Sequence, residues 1–437
     1  MSHGNDNPQV MNEALLRRPA YRHYVLAVLF MAYVVSVVDR AILNILLEPI
    51  KSEFGLGDTE LGLLGGIAFA LFYAVLGVPV AMWADRGNRR NILALAIAIW
   101  SVMTALCGAA ASFVMLIAAR VGTAIGEAGG SPPSYALIAD YFPLSRRATA
   151  LSIYGMGATA GIMAGNLFGG WSVAHYGWRM TFVLAGIPGL LVALLVLLTV
   201  REPPRGFADG VKVAKASHGF GTVVARLWQR ASFRHLGTAV ALQSFAIAGG
   251  ATFNAPYLAR SHGLTPAEIG GWLALFGGCA AIGTLLGGIT ADRLANRLGD
   301  RRWYCWLPGW GALLIVPLQF IVYLAPAFSW LPPAYIAMVI IGSSFLGPAY
   351  AVTQGLVGAD MRAVAASIML FLQTLIGSGL GPVAVGFLSD ALAESAKGEA
   401  LRYAIVAVSL VNLWAVFHYF RAGRTVREDL DAAAGSV

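Results

Sequence analysis

The stretch RVGTAIGEAGGSPP, residues 120 to 133, lies inside an apolar segment running from about Phe113 to Ala139 and carries an arginine and a glutamate with no polar run around them. Arg120 and Glu127 are seven residues apart, two turns of a helix, so both point from one face, about 10 Å apart along its axis. Each ionised side chain at the centre of a bilayer-spanning helix costs roughly 2.5 to 3.5 kcal/mol. A chain keeps such residues where they face a polar or water-filled interior and find partners. The pair reads either as a structural ion pair that fixes helix packing or as a substrate or proton site. The rest of the chain favours the second reading.

Of the 437 residues, 58% are hydrophobic and only 12% are charged. Soluble domains carry about 25% charged residues. Half that proportion, with repeated apolar runs of about 20 residues, indicates an all-α polytopic membrane protein. Twelve spans are expected, near 23–47, 60–83, 91–111, 114–139, 148–172, 180–200, 233–258, 267–291, 303–325, 331–357, 363–389 and 402–420. The first apolar run is too long for a signal-peptide core and reads as an uncleaved span. Cys107, Cys279 and Cys305 are far apart and read as free thiols, and the histidines show no metal-ligand spacing. Neither a metal nor a cofactor is expected.

The net charge of +8 does not indicate a nucleic-acid partner. With the N-terminus in the cytoplasm, 23 of the 30 Lys and Arg fall in the tails and even-numbered connections. Five fall in the odd-numbered connections, and Arg40 and Arg120 lie within spans. That split is the positive-inside bias, so the basic charge sets orientation, with both termini cytoplasmic.

Span 1 holds a second charged pair, Asp39–Arg40, within VVSVVDRAILNILL. Neighbours on a helix diverge by about 100°, so the two cannot face one partner. An acid and a base in span 1 balance a base and an acid in span 4, which fits one shared polar pocket. After span 2 comes AMWADRGNRRN, with Asp85, Arg86, Arg89 and Arg90, and after span 8 a similar string, GGITADRLANRLGDRR, with Asp292 and Arg293. Asp85 is placed at a helix junction where a carboxylate can meet backbone N–H groups.

The repetition is wider than these loops. GLGDTELG at 55–62 matches GLTPAEIG at 263–270, an offset of 208, and Asp85 and Asp292 are 207 apart. Two parallel six-span halves are therefore expected, with a substrate site at mid-membrane. The boundaries are a cytoplasmic tail at 1–22, a six-helix bundle at 23–200, a cytoplasmic linker at 201–232, a second bundle at 233–420 and a tail at 421–437. An amphipathic piece around Val223–Arg230 is expected to lie on the membrane surface. The halves differ chemically: the offset places Ile247 opposite Asp39, and the middle of spans 7 to 12 has no ionisable residue. Asn254 and Gln373 are the second half's candidates for contacting a substrate, among polar residues that otherwise serve packing. The glycine-rich runs at 155–170 and 377–386 suit close helix contact, with flexing at Pro382.

The loops at Asp85 and Asp292 resemble the signature loop of the major facilitator superfamily, although Ala81 and Asn88 stand where glycines are usual. Within it, the Asp39–Arg40 pair, RVGTAIGEAGGSPPSYALIADYFP, GWRMTFVLAGIPG and REPPRG resemble the Spinster branch. The resemblance implies a secondary active transporter working by alternating access, with protons implicated in coupling. It implies amphiphilic lipid substrates such as sphingosine-1-phosphate or lysophospholipids. It implies Asp39 and Glu127 as protonatable or gating residues and Arg40 and Arg120 as ligands of an anionic headgroup. The loops at Asp85 and Asp292 are then conformational gates. The expected protein is a monomer in a bacterial inner membrane, not an enzyme. The alternatives are a proton-coupled transporter of a small organic anion or drug, and a non-transporting sensor. With no GxxxxGK[ST] loop in the chain, ATP-driven transport is not expected.

Overall fold

The computed structural model describes residues 16, 18–208, 220–324, 327–358, 361–396 and 398–434. Among them the regular backbone is helical, and a helix satisfies its peptide groups within its own segment, as the bilayer interior requires. Span 1 is Pro19–Phe54. Span 2 is Asp58–Gly65 followed by Ile67–Arg86, and span 3 is Arg89–Gly108. Span 4 ends at Glu127 and resumes at Ser131, with prolines in its new first turn. Gly129 and Gly130 fall in the interruption and Pro132 and Pro133 in the first turn after it.

Spans 5 and 6 form one helical stretch, Leu144–Thr199, broken at Gly177, where φ is 75° and ψ 171°. A straight helix of 56 residues would be about 84 Å long, more than twice the bilayer core. The positive φ, open to glycine, ends one crossing and begins the next. Span 7 is Ala231–His262, span 8 Pro266–Leu298 and span 9 Trp303–Leu324. Span 10 comprises Leu331–Ser343 and Leu346–Gly355. Span 11 runs through Arg362–Leu372, a π-helical segment Gln373–Leu380 and Gly381–Ala391. Span 12 comprises Ala400–Ser409 and Val411–Ala434. Local signals set several ends: Ser112 caps Met115 N, Thr265 and Glu268 form a capping box, and Gly263 and Gly299 close helices with left-handed backbone.

The chain divides into two compact units, the first comprising 1–42, 72–165 and 175–214 and the second 43–71, 166–174 and 215–437. The first is built around Leu29, Leu93, Ile97, Trp100, Tyr141 and Val196. The second is built around Phe233, Leu236, Val240, Met369 and Tyr419. Large apolar side chains such as Leu191, Leu198, Leu285 and Phe387 are exposed, as lipid-facing positions require. The helix Phe220–Gln229 corrects one expectation. Val223 and Leu227, one turn apart, are fully buried in the second unit's core, so its apolar stripe is taken up by protein, while Trp228 is exposed.

Candidate functional site in the first unit

Span 1 turns Asp39 and Arg40 in different directions, as their 100° separation dictates. Arg40 Nε reaches Glu127 Oε2 at 3.0 Å, and Ser36, one turn before Arg40, donates to the same oxygen at 3.0 Å. Arg40 Nη2 also donates to Ser36 Oγ at 3.3 Å, closing a triangle across spans 1 and 4. Its guanidinium stands 5.8 Å from the centre of the Tyr73 ring. Asp39 faces span 3, where Thr104 Oγ1 donates to its Oδ2 at 3.0 Å. Arg120 is buried, and its charge acts on both Asp39 and Glu127.

All four charges expected to share a pocket are thus brought together. The direct partner of Glu127 is Arg40, from another span, rather than Arg120 on its own helix. The burial of the four is unequal. Asp39 and Glu127 are at most 2% accessible, whereas a third of the Arg40 side chain remains accessible. Glu127 Oε1 and Asp39 Oδ1 accept no hydrogen bond among the described residues. A buried carboxylate oxygen without a donor is costly when ionised. The cavity beside Arg40 and Glu127, lined also by Tyr33, Tyr73, Ser134 and Tyr154, measures about 10 Å³. That is room for one water.

Arg89 is buried in the same unit and tied to acids that the sequence did not mark as its partners. It pairs with Asp140 and, at 2.7 Å, with Glu202, and donates to the Pro203 carbonyl at 3.0 Å. The Arg90 backbone N–H also donates to Glu202, at 2.9 Å. Arg86 is exposed, and the Asp85 side chain lies outside the described residues. In the second unit Asp292 accepts from Tyr304 at 2.7 Å, and Arg293 is exposed.

The second unit's candidates have neutral surroundings. Asn254 is buried, donates to the Tyr335 hydroxyl and accepts from Tyr323 at 2.9 Å. Gln373 opens the π-helical segment and accepts from Tyr350 at 3.4 Å. Sequence reasoning missed an ionic network at the end of this unit that carries the odd-numbered connections. Arg260 binds Asp58 through both terminal nitrogens, at 2.8 and 2.9 Å, and Glu48 at 2.7 Å. Lys51 and Ser389 add bonds to Asp58 of 2.5 and 2.6 Å. Asp390 accepts the N–H groups of Asp58 and Thr59, both at 2.8 Å, so it caps a helix whose own N-cap, Gly57, has no side chain. Next to it the backbones touch. A Cβ on Gly386 would stand 2.1 Å from the Asp58 carbonyl oxygen, and one on Gly62 2.4 Å from that of Pro382.

The twelve apolar spans among the described residues and a buried, charge-balanced cluster define a multi-pass membrane transporter. The model of the Major Facilitator Superfamily matches residues 29–382, and the chain belongs to that family. Within it the chain is Spinster-like. Its fold superposes with a TM-score of 0.87 and 36% identity, over 94% of this chain and 99% of the other, on a bacterial homologue of the human lysosomal transporter Spinster in an inward-facing, unoccupied conformation. It is 33% identical to an MFS-type efflux pump of Mycolicibacterium smegmatis, over 92% of this chain and 93% of that protein. It is 27% identical to a sphingosine-1-phosphate transporter of Danio rerio, over 92% of this chain and 84% of that one. These relationships support transport by alternating access rather than catalysis.

Proposed function

We propose that the protein is a proton-coupled carrier of an amphiphilic anionic or zwitterionic lipid, of the lysophospholipid or sphingosine-1-phosphate class, and that the span 1–span 4 cluster is its switch. The observation that carries this reading is the Arg40–Glu127–Ser36 triangle, in which a buried carboxylate occupies a partly accessible guanidinium. A proton arriving on Glu127 removes the negative charge that holds Arg40. Arg40, with Arg120 as a second cation of the cluster, is then available to a phosphate or carboxylate headgroup, and loss of the proton restores the pair and favours release. Asp39, held by Thr104 and near Arg120, is the second proton carrier. The likeness to the sphingosine-1-phosphate transporter supports the substrate class. The asymmetry between a first half with ions in mid-span and a second half with none there suits a charged head on an acyl tail.

In this reading the two bundles are 23–200 and 233–420, joined by a linker at 201–232, with both termini in the cytoplasm of a bacterial inner membrane and a monomer as the working form. The Asp85 and Asp292 loops gate the cytoplasmic side, and Asn254 and Gln373 line the tail's path. The test is transport of a fluorescent lysophospholipid by purified protein in proteoliposomes under an imposed pH gradient. Glu127→Gln imitates the protonated residue and should keep substrate exchange while losing, by at least about tenfold, the response to the gradient. Gradient-driven transport by folded Glu127→Gln protein at the normal rate would remove Glu127 from the coupling.

A further inference from the structure

The second unit has a cavity of about 410 Å³ that the transport reading does not use. It is lined by Arg301 and Tyr304 at the start of span 9, by Ala351, Val352, Gly355 and Val357 at the end of span 10, by Arg362 at the start of span 11, and by Leu430 of the C-terminal helix. Its volume falls in the range of small-molecule sites. Its chemistry is divided. Val352 and Val357 are buried and form an apolar floor, while both arginines are exposed at the rim. All these residues belong to the ends of spans that carry the even-numbered connections and the C-terminal tail, where the chain's basic residues are concentrated.

The other charges around the cavity leave the rim positive. Arg301 meets Asp431 at 3.6 Å in an exposed pair, which is weak and readily exchanged. The acid near Tyr304 is Asp292, which holds the tyrosine hydroxyl at 2.7 Å. Asp300 is bound bidentately by Arg302, at 2.8 and 3.0 Å, and that guanidinium keeps its carboxyl below the usual range. Asp360, two residues before Arg362 in sequence, lies outside the described residues.

We infer that this cavity binds a phosphate-bearing anion at the membrane–cytoplasm boundary, apart from the transport cluster. Two guanidiniums from different connections present forked donors suited to phosphate oxygens, and the apolar floor accepts the carbon skeleton attached to the phosphate. Basic pockets between spans on the cytoplasmic side are a recurrent way of holding anionic lipid headgroups. A soluble phosphomonoester offers the same chemistry.

The experiment uses the full chain in nanodiscs of phosphatidylcholine, alone or with about one-fifth phosphatidylglycerol, and reads thermal stability and direct binding. Glycerol phosphate is titrated in parallel into the phosphatidylcholine sample. Stabilisation by phosphatidylglycerol alone identifies a lipid headgroup, whereas saturable stabilisation by glycerol phosphate identifies a soluble ligand. Either supports the site if Arg301→Gln and Arg362→Gln each weaken the effect about tenfold, the loss of a charge-assisted hydrogen bond. Ala351→Leu fills the cavity, leaves both charges in place and should weaken binding as much. Failure of both ligands to stabilise the wild type would overturn the inference. So would equal stabilisation of the wild type and the Ala351→Leu protein, since a diffuse basic surface would not sense a filled cavity.

Discussion

The interiors of the two units solve the same problem in opposite ways. In the first, the buried polar groups are ions, Asp39, Glu127 and Arg120 with the partly accessible Arg40, and two carboxylate oxygens lack a donor. In the second, apart from Asp58, neutral side chains are bonded to one another: Asn254 with Tyr323 and Tyr335, Gln243 with Tyr419 at 2.6 Å, Gln319 with Asn412 at 3.3 Å. A neutral network has one protonation state near pH 7, so a change of pH leaves its bonding in place. An ionic cluster changes its partners whenever a proton or an anion arrives. The ions of the second unit sit at its end instead, where Arg260 ties Glu48 of span 1 and Asp58 of span 2 to span 7, and Asp390 adds span 11. One unit thus holds an ionic cluster that the proposed function makes a switch, and the other holds its ionic network at one end.

The comparison breaks first, and with the largest effect, at Arg40. Arg40→Met leaves Glu127 buried beside Ser36 without its counter-ion, which should cost about 3 kcal/mol, the lower end for breaking a buried pair, because Arg40 is partly accessible. Arg40→Met with Glu127→Leu removes both charges and should recover most of the thermal stability, since a buried ion pair and an apolar pair of similar volume are nearly equivalent. Transport should be lost in both. Recovery of transport with stability in the double variant would make the pair structural and erase the distinction between the units.

A smaller effect is expected at the second unit's ionic network. Arg260→Met removes five bonds to Glu48 and Asp58, but Lys51 and Ser389 still reach Asp58. The expected loss is about 2 kcal/mol, below that of a fully buried pair, because the Arg260 side chain keeps 22% of its accessible surface. Thermal unfolding measures it, and alkylation of a cysteine placed at Thr59 measures opening of that end. Faster alkylation with a lower melting temperature fits a clasp. An unchanged rate would reduce the network to surface ornament on a seam already held by the backbone contacts at Gly62 and Gly386.

Much of this was legible in the sequence, and what was missed has a common cause. The spans followed from apolar length. The meeting of four charges followed from the cost of leaving any of them in lipid. The cross-span pairing did not, because periodicity gives directions on one helix and not which helix stands opposite. So Arg120 and Glu127, on one face, were the visible pair, and Arg40 proved to be the direct partner of Glu127. Glu48, Asp58, Arg260 and Asp390 were overlooked for a related reason. Each is a single charge near a span end, where charges are cheap, and only the fold converts four such residues into a network. Arg89, Asp140 and Glu202 repeat the lesson over a separation of 113 residues between Arg89 and Glu202.

The finest discrimination falls on Asn254, where the reading of a substrate ligand and that of a scaffold residue diverge. Both ends of its amide are engaged, and its partners are themselves fixed: Tyr335 stacks on Phe276 with ring centres 4.0 Å apart, and Tyr323 packs edge-on against Tyr257 at 5.0 Å. Tyr323→Phe removes one donor and should cost about 1 kcal/mol, the net worth of an ordinary hydrogen bond. Asn254→Ala deprives two buried hydroxyls of their partner and should cost about 2 kcal/mol, more than Tyr323→Phe for that reason. If the network is scaffold, both variants melt earlier while the apparent affinity for a lysophospholipid, read in the folded fraction, stays within about twofold of wild type. If Asn254 instead leaves its tyrosines to meet the substrate, the order inverts. Affinity then falls about tenfold in Asn254→Ala, the loss of one polar contact, and Tyr323→Phe, by freeing the amide, binds as well as wild type or better. The two variants measured together therefore decide whether the second unit's polar interior is passive, which one of them alone would not.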